Sequence, residues 1–254
     1  MNMKNTVNIL GINFINTTVK QFVHTLGSHI ENREKTFVVT ANPEIVMDAR
    51  KNDTLMNIIQ GADYVTADGI GIVKSAGLLG VPLPERVPGF DVTMRLLKLA
   101  NKKSLSVYLL GGKDRVVEKA ADRIKSDFPN VKIAGYHHGY FDLNDDQIMK
   151  TVESTKPDII LVALGAPRQE QWISQSMPSF DHGIFIGVGG TFDVIAGEAK
   201  RAPEVWQKMN LEWFYRLLRQ PSRWKRQMAL PQFAFKILQQ KMLKNITPAD
   251  KPFI

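Results

Sequence analysis

Four short stretches place polar residues directly after apolar runs: Thr40–Glu44 (TANPE), Thr66–Gly71 (TADGIG), Leu164–Trp172 (LGAPRQEQW) and Gly187–Asp193 (GVGGTFD). In TADGIG, Asp68 is followed by two nearby glycines, Gly69 and Gly71, which leave room around its carboxylate. A carboxylate so placed can take the proton of a substrate hydroxyl as a general base. Asp-Gly is equally a turn signal, with the aspartate bonding its own backbone, and both readings stand at this level. Asn42 before Pro43 reads as a helix cap with proline at the first helical position, which leaves Thr40 able to face a pocket. Gln169 in PRQE is a further polar candidate. Gly189 and Gly190, with Asp193 closing the block, resemble a loop whose backbone amides approach a diphosphate. Tight packing of a strand onto a helix explains such glycines just as well.

Other chemistries find little support. There is no cysteine, which excludes disulfides and thiolate metal sites and fits a reducing compartment. His24 and His29 fall on a helix candidate and His137-His138 follow a strand candidate, without HExxH or comparable ligand spacing, so they read as ordinary polar positions. LLGGKDR (Leu109–Arg115) is not a Walker loop, because Asp114 follows Lys113 where Ser or Thr is required. No GxGxxG with a suitably spaced acid supports a dinucleotide oxidoreductase, and no GxSxG elbow supports a nucleophilic triad. No two acids stand at i, i+2, so the DxD pair with which many sugar transferases hold a divalent ion is missing.

For the four stretches to meet, the runs before them must lie side by side and point the same way. The strand candidates are Thr36–Thr40, Tyr64–Thr66, Leu105–Leu110, Val131–Gly135, Asp158–Leu164 and Gly183–Val188. The better ones are nearly continuous in β-branched and aliphatic residues, as strands buried on both faces should be. Helical spacing separates them, at Val19, Phe22, Val23, Leu26 and Ile30, and again at Val116, Val117, Ala120, Ala121 and Ile124. This alternation predicts an α/β fold: a Rossmann-like, mainly parallel sheet with helices on both faces. In such sheets ligands bind beyond the carboxyl ends of the strands, where all four stretches would fall.

The rhythm breaks after Gly197, where no strand candidate remains. Leu211, Phe214, Tyr215 and Leu218 mark an amphipathic helix, Pro221 starts a second, and Pro231 starts a third whose Phe235, Leu238 and Met242 form an apolar stripe. We divide the chain into an α/β catalytic body at 1–197 and a basic, helical C-terminal appendage at 198–254. Residues 200–244 carry eleven of the 33 Lys and Arg but two of the 25 acids, so the net charge of +8 belongs to the tail and the body is near neutral. The N-terminus lacks the apolar core of a secretory signal, and the longest apolar run, Ile159–Ala166, is far short of the ~20 residues that span a bilayer. The expectation is a cytoplasmic protein that meets membranes from their surface.

Taken in order, TANPEIV, ADGIGIV, ERVPGFD, VYLLGG, AGYHHGYF, LVALGAPRQEQW, GVGGTFDVIAG, KRAPE and LEWFYRLLRQPSRWKR resemble the WecG/TagA/CpsF glycosyltransferases of bacterial surface-polymer assembly. The match runs from near residue 40 to near residue 235 and rests on many ordered blocks. The resemblance implies transfer of an N-acetylated hexosamine-type sugar from a UDP donor to undecaprenyl-diphosphate-linked N-acetylglucosamine. The nearest likeness is to members that transfer N-acetylmannosamine in wall teichoic acid synthesis; an enterobacterial branch uses N-acetylmannosaminuronic acid. It implies that Asp68 is the base, that Thr40, Asn42 and Arg86 line the pocket, with Gln169 a further polar candidate beside them, and that Arg216, Arg223 and Arg226 close over the diphosphate. With DxD absent, arginines and backbone amides must meet the leaving charge, so no metal and no cofactor is expected. An anionic membrane surface is the expected partner, on the inner face of the cell membrane, and a homo-oligomer is within what the resemblance allows.

The basic tail, with its interleaved aromatics, also suits nucleic acid. A near-neutral body with several polar rim loops exceeds what a tail-driven binder requires, so nucleic acid is not the expected partner.

Overall fold

The computed structural model of the chain describes residues 6–219, 224 and 228–246, with the side chains of residues 208, 216 and 244–246 outside that description. The chain opens with a hairpin, β1 (Thr6–Ile9) and β2 (Ile12–Ile15), that the sequence reading did not anticipate. Its two-residue turn has positive φ at both Leu10 (51°) and Gly11 (93°), the primed geometry that matches strand twist. Alternation buries Val7, Ile9, Ile12 and Phe14.

All six anticipated strands form. β3 (Lys35–Ala41), β4 (Tyr64–Ala67), β5 (Ser106–Gly111), β6 (Lys132–His137), β7 (Ile159–Ala163) and β8 (Gly183–Gly187) make one parallel sheet in the order β4-β3-β8-β7-β5-β6. Successive residues divide between two cores, as the period of two demands. Phe37, Val39, Ile160, Val162 and Phe185 face one cluster, while Val38, Ile159, Leu161, Ile184 and Ile186 face the other. The second cluster is closed by α1 (Val19–Glu31), α5 (Gly89–Lys103) and α6 (Asp114–Asp127), whose Val116, Val117, Ala120, Ala121 and Ile124 are all buried. The first is closed by α2 (Pro43–Ala49), α3 (Asp53–Gln60), α4 (Ile70–Leu78), α7 (Asp146–Ser154) and α8 (Arg168–Ser176). From β3 the chain steps outward to β4, crosses to β5 and β6, and returns through β7 to β8 beside β3. That reversal between β3 and β8 is the switch point at which open α/β sheets bind ligands.

Beyond α9 (Thr191–Ile195) every described element is helical: α10 (Glu204–Lys208), α11 (Glu212–Arg219) and α12 (Ala229–Ile246). α12 is seated on α2 and α4 through Phe233 and Ile237, which join the first core. Gln240 fixes its far end on the hairpin, accepting from Leu10 N at 3.0 Å and donating to Asn8 O at 3.1 Å. The stripe expected from spacing is real but faces outward: Phe235, Leu238 and Met242 are 59, 46 and 59% exposed. The helix expected from Pro221 lies outside the described residues. Among the described residues no helix is long and apolar enough to cross a membrane.

Candidate active site

The carboxyl ends of β3, β4 and β8 bring the predicted residues together. Asn42 caps α2, its side chain accepting from Ile45 N at 3.0 Å. Asp68 follows β4, and its N–H donates to Ala41 O at 3.0 Å, which ties the two strand ends to each other. The turn after it requires glycine: Gly69 has φ 141°, and a Cβ there would lie 3.7 Å from Pro43 and 3.9 Å from the Asn42 Cβ. Asn42 and Asp68 each follow directly on the paired strand ends Ala41 and Ala67, and both are half-buried at the rim. Thr40 is buried two residues before Asn42, donating its hydroxyl to Gly187 O at 2.9 Å across β3 and β8.

Arg86 reaches the same place by a backbone route. Val87 N donates to Ala67 O at 2.9 Å and Thr66 Oγ1 donates to Val87 O at 3.1 Å, so the ERVPGF segment lies along the end of β4. Arg86 Nη1 stands 3.6 Å from Glu212 Oε2 of α11. Arg201 joins the same cluster, gripping Asp91 with two hydrogen bonds of 2.7 and 3.0 Å and stacking over Phe90 at 4.6 Å. The tail therefore meets the body through ions beside Asp68 as well as through the apolar face of α12. Arg216 lies on α11 with its side chain outside the described residues, and Arg223 and Arg226 lie outside them altogether.

Gln169 comes to the site from behind. It is 3% exposed; its Oε1 accepts from Gly189 N at 3.2 Å and its Nε2 donates to Glu170 Oε1 at 2.8 Å. The Gly189 N–H is committed to that bond, so Gly189 shapes the loop, with φ 51°, rather than offering an amide. Asp193 stands over the same loop, its Oδ2 3.7 Å from where a Gly190 Cβ would be. Glu170, which the sequence did not single out, is 1% exposed, and burial pushes its carboxyl above the usual range against hydrogen bonds that lower it.

A cavity of about 590 Å³ continues the rim beyond β5, β6 and β7, lined by Gly112, Tyr140, Phe141, Asp142, Leu164 and Arg168 among others. Its floor is backbone against backbone: a Cβ on Gly111 would come within 2.4 Å of Ala163 C and O, and Gly139 N donates to Gly112 O at 2.8 Å. Gly111 of LLGG serves this close approach. Arg168 pins the cavity wall by donating to Phe141 O at 2.9 Å. The cavity adjoins the glycine loop, since a Cβ on Gly112 would touch Phe192 at 3.8 Å and Val188 N donates to Val162 O at 2.8 Å. Tyr140, Phe141 and Arg168 were not chosen from the sequence, although the aromatic pair directly after a strand and its two histidines was the available signal. Among the described residues no three His, Asp or Glu side chains converge as metal ligands would.

A parallel sheet whose switch point carries a carboxylate, an arginine and a glycine loop has the arrangement of an α/β enzyme site. The chain belongs to the WecG/TagA/CpsF family of glycosyl transferases, whose sequence profile matches residues 7–246. It is 40% identical over 237 residues to a Staphylococcus aureus (strain MW2) protein named N-acetylglucosaminyldiphosphoundecaprenol N-acetyl-beta-D-mannosaminyltransferase, covering 92% of this chain and 93% of that one. The protein of the same name from S. aureus strain NCTC 8325 / PS 47 matches to the same extent, at 40% over 237 residues.

Proposed function

We propose that the enzyme transfers N-acetylmannosamine from UDP-N-acetylmannosamine to N-acetylglucosamine carried on undecaprenyl diphosphate. The product is a β-1,4-linked disaccharide, made at an early committed step of wall teichoic acid linkage-unit synthesis. The observation that carries this reading is the fastening of Asp68 and the Arg86 segment to the end of β4, by the Asp68 N to Ala41 O and Val87 N to Ala67 O bonds, on the same rim of the sheet as a cavity sized for a nucleotide sugar. The relatives' names supply the sugar and the acceptor.

The chemistry is one in-line displacement with inversion. The acceptor C4 hydroxyl attacks C1 of the donor sugar and gives its proton to the Asp68 carboxylate. The bond from C1 to the diphosphate oxygen breaks, and its electron pair leaves with UDP. Rate comes from holding the two reactants in line and from meeting the leaving charge. The nucleoside sits in the cavity walled by Tyr140, Phe141 and Arg168, the diphosphate crosses the Gly189–Gly190 loop towards Arg86, and the sugar points at Asp68. Thr40, Asn42 and Asp193 shape that path, and Arg216, Arg223 and Arg226 bring further positive charge from the tail. No metal is needed when arginines meet the diphosphate.

The lipid acceptor implies work at a membrane, on the inner face where UDP-sugars are found. Exposed Trp213, Phe214, Leu218, Trp224, Phe235 and Met242 among tail cations suit a peripheral hold on anionic lipid. The test is an assay of purified enzyme with a panel of UDP-hexosamines and a short-chain lipid diphosphate carrying N-acetylglucosamine, with and without EDTA. A product heavier by one N-acetylhexosamine, formed from the manno donor and unaffected by chelation, is expected. Transfer from the uronic acid donor instead would replace the donor, and strong loss with EDTA would end the metal-free mechanism.

A further inference from the structure

Glu170 takes no part in the reaction above, yet it is the most deeply buried carboxyl group beside the site, at 1% exposure. It belongs to a relay that ends on the glycine loop. Glu170 Oε1 accepts from Gln169 Nε2 at 2.8 Å, and Gln169 Oε1 accepts from Gly189 N at 3.2 Å. The relay needs the bare end of β8: a Cβ on Gly187 would stand 2.6 Å from Gln169 Nε2.

A glutamine amide turned over about its last torsion would set its NH2 against the Gly189 N–H, two donors face to face. The group that forbids this is the acceptor at the other end, Glu170. Glu170 Oε2 is itself buried without a hydrogen-bond partner among the described residues. A charge left so would be costly, and burial accordingly favours the protonated carboxyl. A protonated acid keeps one carbonyl oxygen as acceptor for Gln169, so the relay survives neutralisation.

We propose that Glu170 is a positioning residue for the donor: by fixing the Gln169 amide it fixes the Gly189 N–H, and with it the curve of the loop along which the diphosphate lies. The proposal rests on the donor placement given above. A merely structural acid would change melting temperature and leave substrate constants alone, so the test separates the two. Glu170→Gln keeps an acceptor without a charge; Glu170→Leu removes the acceptor and keeps a side chain of similar length in the buried position.

Two measurements are made on the full chain: steady-state kinetics with UDP-N-acetylmannosamine and the short-chain lipid acceptor, and amide exchange at Gly189 in substrate-free protein. The expected result is that Glu170→Leu raises the donor KM about tenfold with the acceptor KM unchanged, and that its Gly189 amide loses protection. Glu170→Gln should stay within about twofold of the parent in both measurements. A Gly189 amide still protected in Glu170→Leu overturns the relay itself. A deprotected amide with an unchanged donor KM leaves the relay in place and overturns the donor placement on which the proposal stands. Equal rises in donor and acceptor KM, or failure of Glu170→Gln to preserve the donor KM, also overturn it, because either marks a general loosening of the site.

Discussion

Asp68 is set apart from other acids at turns by its surroundings. Its backbone is fixed to β3 through Ala41, Gly69 supplies the positive φ of the turn that follows, and Gly71 lets α4 pack on Pro43, where a Cβ would come within 2.8 Å. Asp68→Asn keeps size and turn chemistry but removes the proton acceptor. Transfer should fall by about 10²–10⁴-fold, measured as turnover with saturating donor and lipid acceptor, while sedimentation with anionic vesicles stays unchanged. Near-normal turnover would remove Asp68 as the base. Glu170 gives a second outcome, in stability and pH. Burial holds its folded carboxyl above the usual glutamate range, against hydrogen bonds from Gln169 and its own backbone that lower it. A raised acid contributes stability that is full below its unfolded value and fades as pH climbs through the folded one. The melting temperature of Glu170→Gln should therefore rise relative to the parent as pH increases from about 4.5 upward; a constant gap between the two proteins would show that Glu170 does not titrate in that window. At this scale Asp68, Asn42 and the glycines were legible because turn and cap chemistry is local. The inward turn of Gln169 was not, since it depends on where α8 packs against β8.

Among the elements, the parallel strands could be read because strands buried on both faces are written as unbroken β-branched runs, Ile159–Ala163 above all. The β1–β2 hairpin escaped because its strands have four residues each, too few for a period to declare itself, and because Leu10 holds a turn position where glycine or asparagine is the usual sign. α12 was legible as a helix but not in its facing. Spacing finds an apolar stripe in Phe235, Leu238 and Met242, yet a second apolar pair, Phe233 and Ile237, wins the core because α2 and α4 offer it a complementary face. The two faces predict opposite behaviour for neighbouring phenylalanines. Phe233→Ala, at 3% exposure, should cost roughly 3–5 kcal/mol in denaturant unfolding. Phe235→Ala, at 59% exposure, should change stability by no more than about 0.5 kcal/mol and instead weaken vesicle binding. A large stability loss in Phe235→Ala would mean that the outer stripe packs on the body after all.

For the whole molecule the question is why one tail should carry both the cationic excess and the exposed apolar surface. If the acceptor's diphosphate lies at the membrane surface and the donor's at the rim of the sheet, a segment that joins the two must be basic on one side and greasy on the other. The ion cluster of Arg86, Arg201, Asp91 and Glu212 holds the start of that segment beside Asp68, and α12 holds its end. The two tasks can be separated without unseating either anchor. Replacing Arg216, Arg223 and Arg226 together with Ala should lower turnover at least about 100-fold on vesicles. The loss should persist with a water-soluble acceptor, because charge stabilisation of the diphosphate is needed wherever the substrate resides. Replacing Phe235, Leu238 and Met242 together with Ser should lower turnover on vesicles alone and leave the soluble assay within about twofold of the parent. Vesicle binding of the parent should itself weaken as salt rises, since screening lengths shrink from about 10 Å at 0.1 M. If the arginine variant recovered fully with the soluble acceptor, those arginines would serve the membrane only, and the leaving diphosphate would have to be met from the body, by Arg86 above all.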